Sequence, residues 1–193
     1  MSHPLEHLSP PTRRCWFLAL LAYTVLIAIV MSSTGRPLNT AQAPNGIVSF
    51  EFAGNLKTAQ DMLDSWDAQA QVRAGFVQGL DFLFLLVYST TIGLACLIAA
   101  GALRRLGWPL AGLGSWLAWG LWLAAAFDFI ENVALVLLLF GSMHPAWPPL
   151  AAYCASAKFA LLFLGLVYVF YAAVIHLAQR LLPPSPPAST DAR

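Results

Sequence analysis

The sequence predicts an all-α integral membrane protein, an up-and-down four-helix bundle with a short amphipathic helix in the first outer loop. Two observations predict this fold class. Hydrophobic residues make up 59% of the 193 residues and charged residues only 10%, a composition too apolar for a soluble domain. In addition, four apolar stretches each approach or exceed the roughly 20 residues that a helix needs to cross the hydrocarbon core of a bilayer.

The predicted spans cover about residues 15–32, 76–101, 110–140 and 149–178. Their even number places both chain ends on one side of the membrane. That side carries most of the arginines, namely Arg13, Arg14, Arg104, Arg105, Arg180 and Arg193. The opposite side carries Arg36, Lys57 and Arg73. Because basic residues concentrate on the cytoplasmic side, we expect a multi-pass inner (plasma) membrane protein with both termini cytoplasmic.

Short tails flank the predicted transmembrane domain of residues 15–180. Residues 1–14 form a cytoplasmic N-terminal tail in this interpretation. Residues 181–193 contain PPSPPASTDAR, which is rich in proline and has no apolar side chains that could pack. We expect a disordered cytoplasmic tail there.

The first outer loop, residues 33–75, is too long for a simple connector and is expected to have structure. Residues 47–53, IVSFEFA, alternate between apolar and polar types for a few positions. Asn55 follows as a candidate N-cap, and apolar residues then recur at helical spacing: Leu56, Ala59, Leu63 and Trp66. We expect a short amphipathic helix, with residues 47–68 packing over the mouth of the bundle in preference to docking a partner.

The third predicted span contains three polar residues in an apolar helix. Asp128, Glu131 and Asn132 are spaced i, i+3, i+4 and therefore lie on one helical face. A charged side chain near the bilayer centre costs about 2.5 to 3.5 kcal/mol, so this face is expected to point into the bundle. At 1.5 Å per residue, Glu131 lies about 15 Å from the outer helix end and Lys158 of the fourth span about 13 Å. The lysine and the glutamate are thus predicted to be level.

The second predicted span adds Asp81, with Gln78 and Tyr88 on the same helical face. We therefore predict one polar pocket, formed by Asp81, Asp128, Glu131, Asn132 and Lys158, with Gln78 and Tyr88 beside it. Three acids face a single amine at that depth. At least one carboxyl should then hold a proton, or the pocket should admit water, a cation or a basic ligand.

Two functions remain open from these residues. In the first, the pocket binds a small amphipathic or cationic ligand or relays protons, with Asp128 or Glu131 as the protonatable group and Lys158 tuning it. In the second, the protein is a non-catalytic accessory or assembly subunit, in which the polar residues fix helix packing and the outer loop docks a partner protein. The pattern does not identify a reaction or a substrate, and it leaves open whether the protein is an enzyme.

The expected partners are membrane lipids and, for the first function, a small amphipathic ligand. A homo-oligomer or a membrane-protein partner is an open alternative. Nucleic acid is excluded as a partner, because the paired arginines lie beside apolar runs rather than on a basic face. No cofactor and no metal site are predicted, since the spans offer no histidine or thiolate set and the lysine opposes a cation held by the carboxylates.

Several stretches between about residues 50 and 160 resemble a group of small four-span bacterial membrane proteins with no assigned activity. The stretches that carry this resemblance are FEFAGN, the tryptophan in LDSW, GLDFLFLLVYS and FDFIEN. The resemblance implies a four-helix inner-membrane protein and supplies no activity.

Overall fold

The computed structural model describes residues 2–181 and has the predicted all-α architecture. Four long helices form an up-and-down bundle, and each is long and apolar enough to cross a membrane: α1 (Pro10–Gly35), α4 (Ala68–Arg105), α5 (Leu113–Leu139) and α6 (Trp147–Leu181). Two short helices, α2 (Ile47–Glu51) and α3 (Leu56–Asp64), lie between α1 and α4. Apart from Leu181, the predicted tail 181–193 lies outside the described residues.

Most of the long helices extend beyond the predicted spans because polar residues continue and cap them. Helix α1 begins at the Ser9 cap, whose side chain accepts a hydrogen bond from the backbone N–H of Thr12. Helix α4 begins at the Asp67 cap, whose carboxylate accepts from the N–H of Ala70 at 2.7 Å. Hydropathy marks only the part of each helix that suits the hydrocarbon core, whereas the backbone hydrogen bonds continue into the polar flanks.

Helix α4 is central, since it packs against α1, α5 and α6, and α5 also packs against α6. Helix α1 is peripheral, and Ile27 is its one buried residue. A hydrogen bond of 3.0 Å between the hydroxyls of Thr24 and Thr91 joins α1 to α4. The outward faces of α1 and α6 expose large apolar side chains, such as Leu18, Ile29, Phe163 and Phe170. Such faces suit contact with lipid.

The two ends of the bundle differ in structure. At the end that we call the cluster end, residues 36–67 connect α1 to α4 and a short turn connects α5 to α6. We call residues 36–67 the cap segment. The opposite end, which we call the arginine end, holds the start of α1, the connection between α4 and α5, and the end of α6.

The cap segment folds onto its own bundle. Asn55 caps α3 as predicted, with its side-chain oxygen accepting from the N–H of Thr58 at 2.9 Å. The indole of Trp66 donates to the backbone carbonyl of Leu38 at 2.9 Å, and Phe50 meets Trp66 edge to face at 5.4 Å. These side chains share one hydrophobic cluster with residues of α5 and α6, namely Ala134, Leu135, Leu138 and Ala151. The apolar face of the predicted amphipathic helix is therefore buried within the chain.

The alternating stretch before α3 forms the short helix α2. Gly46 precedes α2 with a φ of 56°, a conformation that residues with a Cβ rarely adopt. A Cβ on Gly46 would lie 2.7 Å from the side-chain oxygen of Asn39 and 3.2 Å from the Cβ of Leu38. The turn at Gly46 leads directly into α2, in which Phe50 and Glu51 are both buried. The apolar and polar alternation in residues 47–53 is too short to distinguish a strand from a helix.

Close approach of α4 and α5 depends on Gly114. A Cβ at this position would lie 2.5 Å from the Cβ of Ala100 and 2.7 Å from the backbone oxygen of Cys96. Neither atom belongs to a flexible side-chain end, so the two helices would have to separate. The glycine thus sets the distance between these helices.

We expect Gly114→Ala to destabilise the protein by about 1–3 kcal/mol through overpacking. The measurement is the unfolding temperature in detergent. Gly79→Ala is the matched control, because a Cβ at Gly79 of α4 meets no atom within 4 Å. This control should be neutral or stabilising, since alanine has the higher helix propensity. Equal effects of the two substitutions would contradict the proposed packing role of Gly114.

Candidate functional site: an acidic cluster around Lys158

The ammonium of Lys158 is the centre of a buried polar cluster in the bundle. Its Nζ lies 2.9 Å from Oδ1 of Asp128 and 2.9 Å from Oε1 of Glu131. All three residues are buried, with relative exposures of 4%, 1% and 0%. The predicted meeting of the α5 acids with Lys158 of α6 is thus confirmed, and the lysine pairs with both acids.

Glu51 of the cap segment is a member of the cluster that the sequence analysis missed. Its Oε2 lies 3.5 Å from the Nζ of Lys158, and the residue is 6% exposed. Counting depth along a helix applies only within the four spans and gives no position for an acid in a connecting loop. The available signal was an acid placed between two phenylalanines in FEF, within the segment predicted to cover the bundle mouth.

Helix α4 contributes two hydrogen bonds to the cluster. The hydroxyl of Tyr88 donates to Oδ2 of Asp128 at 2.8 Å, so both oxygens of this carboxylate have partners. The side-chain amide of Gln78 donates to the side-chain oxygen of Asn132. The predicted polar faces of α4 and α5 therefore meet. Gln78 and Asn132 are almost fully buried, and Tyr88 is 5% exposed.

Asp81 lies on the same face of α4 as Gln78 and Tyr88 and is 8% exposed. Within residues 2–181, its carboxylate makes no ion pair, but it lies beside the side-chain amide of Asn132. Asp81 lies between Gln78 and Tyr88, which both bond to α5, so its charge acts on the same cluster. The structure thus brings together all seven residues of the predicted pocket.

The cluster carries a large charge imbalance. We use the name acid cluster for Glu51, Asp81, Asp128 and Glu131 around Lys158. Four ionised carboxylates against one ammonium would leave three uncompensated negative charges in a space shielded from water. An isolated ionised carboxylate is very costly in such surroundings, so the acid cluster must acquire protons or a positively charged partner.

Unsatisfied atoms indicate where a proton fits. Oε2 of Glu51 and Oε2 of Glu131 are both buried without a hydrogen-bond partner. The two carboxyls lie within hydrogen-bonding reach of one another. A proton on one of these carboxyls would allow it to donate a hydrogen bond to the other. In agreement, burial raises the pKa of the Glu51 carboxyl, and Asp128 adds to this effect, although Lys158 opposes it.

An aromatic pair borders the acid cluster on the side of the cap segment. Nζ of Lys158 lies 5.0 Å from the ring centroid of Phe159. The Phe159 ring stacks on Phe52 with centroids 5.9 Å apart and the planes inclined by 24°. Both rings are partly exposed, at 42% and 44%. The contact between cap segment and α6 beside the ammonium is therefore made by two side chains that reach the surface.

Cys154 lies one helical turn from Lys158 on the same face of α6 and is 5% exposed. It is a free thiol, as are Cys15 and Cys96. Across residues 2–181, no three histidine, cysteine, aspartate or glutamate side chains are arranged to hold a metal ion. The buried thiol is close enough to Glu131 and Lys158 to report on the acid cluster.

Comparisons with protein-family models, with curated proteins and with solved structures find no match to this chain. The resemblance to small four-span bacterial membrane proteins stays a prediction.

Removal of the ammonium should strongly destabilise the fold. In Lys158→Met, three neighbouring carboxylates lose their counter-charge, and we expect a loss of about 3–5 kcal/mol at neutral pH. The double variant Lys158→Met/Glu131→Gln should recover part of this loss, because it removes one of the uncompensated acids. Unfolding in detergent provides the measurement. The control is Lys57→Met, which removes an exposed ion pair to Asp61 of 2.7 Å and should change little.

Glu51 should make the stability of the protein depend on pH. Its pKa is higher in the folded protein than in the unfolded chain, so the folded state holds the proton more tightly. Stability should therefore fall as pH rises from the ordinary range of glutamate through the folded pKa. Glu51→Gln removes this dependence of stability on pH, so the variant should gain stability at high pH and gain none at low pH.

Unfolding temperatures measured across this pH range test the expectation. Asp64→Asn changes an exposed acid of the cap segment and should keep the slope of the unsubstituted protein. A Glu51→Gln variant that is destabilised at every pH would show instead that Glu51 serves as an ionised partner of Lys158.

Proposed function

We propose that this protein binds a small amphipathic cation at the acid cluster, in exchange for protons that neutralise the surplus carboxyls. The observation that carries the proposal is the placement of four buried carboxyls around one ammonium. A purely structural ion pair needs one acid for one amine. The additional acids have no such use, and they make the site attractive to positive charge.

Protons and a bound cation are alternative ways to neutralise the acid cluster. With the cap segment closed, protons are the smallest positive charges that can enter, and the unsatisfied oxygens of Glu51 and Glu131 accommodate one. An incoming organic cation would supply the same charge and release the protons. Binding of the cation should therefore weaken as pH falls.

The surroundings favour a cation with an apolar body. Phe52 and Phe159 stack beside the ammonium and reach the surface, so an ammonium group could enter the acid cluster while its apolar part contacts the aromatic rings. Entry requires the cap segment to move away from α6. Glu51 moves with the cap segment, so opening removes one carboxylate from Lys158 and changes the charge of the site.

The orientation of the protein follows from its arginines. We propose that the arginine end faces the cytoplasm of a cell whose inner membrane the four helices span, because Arg13, Arg14, Arg104, Arg105 and Arg180 lie there. The start of α1 and the end of α6 then lie on the cytoplasmic side, and the cap segment faces outward. The acid cluster would accordingly exchange protons and ligand with the outer side.

A second candidate function is supported by the contacts of the acid cluster. Lys158 joins α5, α6 and the cap segment, so the cluster could serve to lock the bundle of an accessory or assembly subunit. In that case a neutral replacement of either Asp128 or Glu131 should destabilise the protein. In the cation-binding function, the loss of one surplus acid should be tolerated.

The buried thiol of Cys154 offers a direct test of cation selectivity. In a variant that lacks Cys15 and Cys96, both replaced by serine, the thiol should react with the cationic reagent 2-aminoethyl methanethiosulfonate and with the neutral methyl methanethiosulfonate. After normalisation to the rates with free glutathione, we expect the cationic reagent to be preferred by about ten-fold or more, because the acid cluster concentrates positive charge.

The double variant Glu51→Gln/Glu131→Gln should remove this preference, whereas Asp64→Asn should keep it. Equal normalised rates for the two reagents in the unsubstituted cluster would contradict the proposal. Combined with a stability loss in Asp128→Asn, equal rates would favour the structural role.

A further inference from the structure

The arginine end contains two adjoining grooves that play no part in the acid cluster. The first has a volume of about 610 Å³ and lies between the start of α1 and the last turns of α4. Four arginines line it, namely Arg13, Arg14, Arg104 and Arg105. The groove therefore combines a concave shape with a high positive charge.

The second groove has a volume of about 590 Å³ and is formed by α1, α4 and α6. Most of its lining is apolar, including Phe17, Ala99, Leu106, Val169 and Ala173. Arg14, Ile98 and Arg105 line both grooves, so the basic and the apolar grooves are direct neighbours.

The four arginines have no carboxylate partner within residues 2–181. Arg13 donates to the backbone oxygens of Leu8 at 3.1 Å and Glu6 at 3.3 Å. Arg105 donates to the backbone oxygen of Gly101 at 3.3 Å. The carboxylate of Glu6 accepts a hydrogen bond from Ser115. The positive charge of the first groove is therefore available to an anionic ligand.

Two tryptophans indicate the depth of these grooves in the membrane. Trp16 is 54% exposed and Trp108 is 39% exposed, and both lie at the arginine end. Exposed tryptophans concentrate at the level of the lipid headgroups. The basic groove thus lies at headgroup level, and the apolar groove continues toward the hydrocarbon core.

We propose that the arginine end binds one anionic phospholipid, with its phosphate among the four arginines and an acyl chain in the apolar groove. Guanidinium groups bind phosphate oxygens through paired, charge-assisted hydrogen bonds. Basic pockets between transmembrane helices are suited to lipid headgroups of this kind. A free phosphate would use only the first groove, whereas a phospholipid uses both.

Binding can be measured by native mass spectrometry of the full chain in detergent, titrated with phosphatidylglycerol or with phosphatidylcholine of the same acyl chains. We expect phosphatidylglycerol to bind more tightly. Arg14→Gln/Arg105→Gln should weaken its binding by about 30-fold, from about 1 kcal/mol for each arginine. The charge-matched control is Arg36→Gln/Arg73→Gln at the cluster end, which should leave binding unchanged.

A second variant tests the apolar groove while all arginines are retained. Ala173 is an exposed residue of α6 that lines this groove, so Ala173→Trp should fill the groove without disturbing the core. We expect weaker binding of phosphatidylglycerol and unchanged binding of inorganic phosphate. The proposal is overturned if the two lipids bind equally, if the two arginine double variants behave alike, or if Ala173→Trp binds phosphatidylglycerol normally.

Discussion

Charge neutrality inside the bundle is the constraint on which the rest of this structure depends. Lys158 lies among four buried carboxyls, and its contacts connect α5, α6 and the cap segment. Water cannot compensate charge in such a place, so each acid needs a proton, a hydrogen-bond donor or a cation. The positions of Tyr88, Gln78 and the cap segment follow from this need, since each supplies contacts at or next to the cluster or excludes water from it.

The acid cluster also relates stability to function. A bundle that only needed an ion pair would be as stable with a single acid, or with apolar residues in place of the pair. The additional carboxyls destabilise the closed state when they are ionised. In the proposed function, opening of the cap segment would separate Glu51 from Lys158 and expose the remaining acids to water. Instability of the charged, closed site and the proposed affinity for a cation thus have the same physical origin.

The two ends of the protein use opposite charges for different purposes. At the cluster end, surplus negative charge is buried and must be neutralised from within or by a ligand. At the arginine end, surplus positive charge lies at the surface, where lipid headgroups can compensate it. Helix α4 connects the two ends, with Asp81 near one and Arg105 near the other. A lipid held against α1 and α4 would therefore stabilise the helix that carries one side of the acid cluster.

Composition and hydropathy alone determined the fold class, because apolar runs of sufficient length have no stable alternative to membrane-spanning helices. The i, i+3, i+4 spacing of Asp128, Glu131 and Asn132 also determined that these side chains share one inward face, and depth counting placed Lys158 level with them. Only the tertiary structure decided that Glu51 completes the cluster. Its position depends on the turn at Gly46 and on the packing of Phe50 and Trp66, contacts between residues distant in sequence that no local pattern encodes.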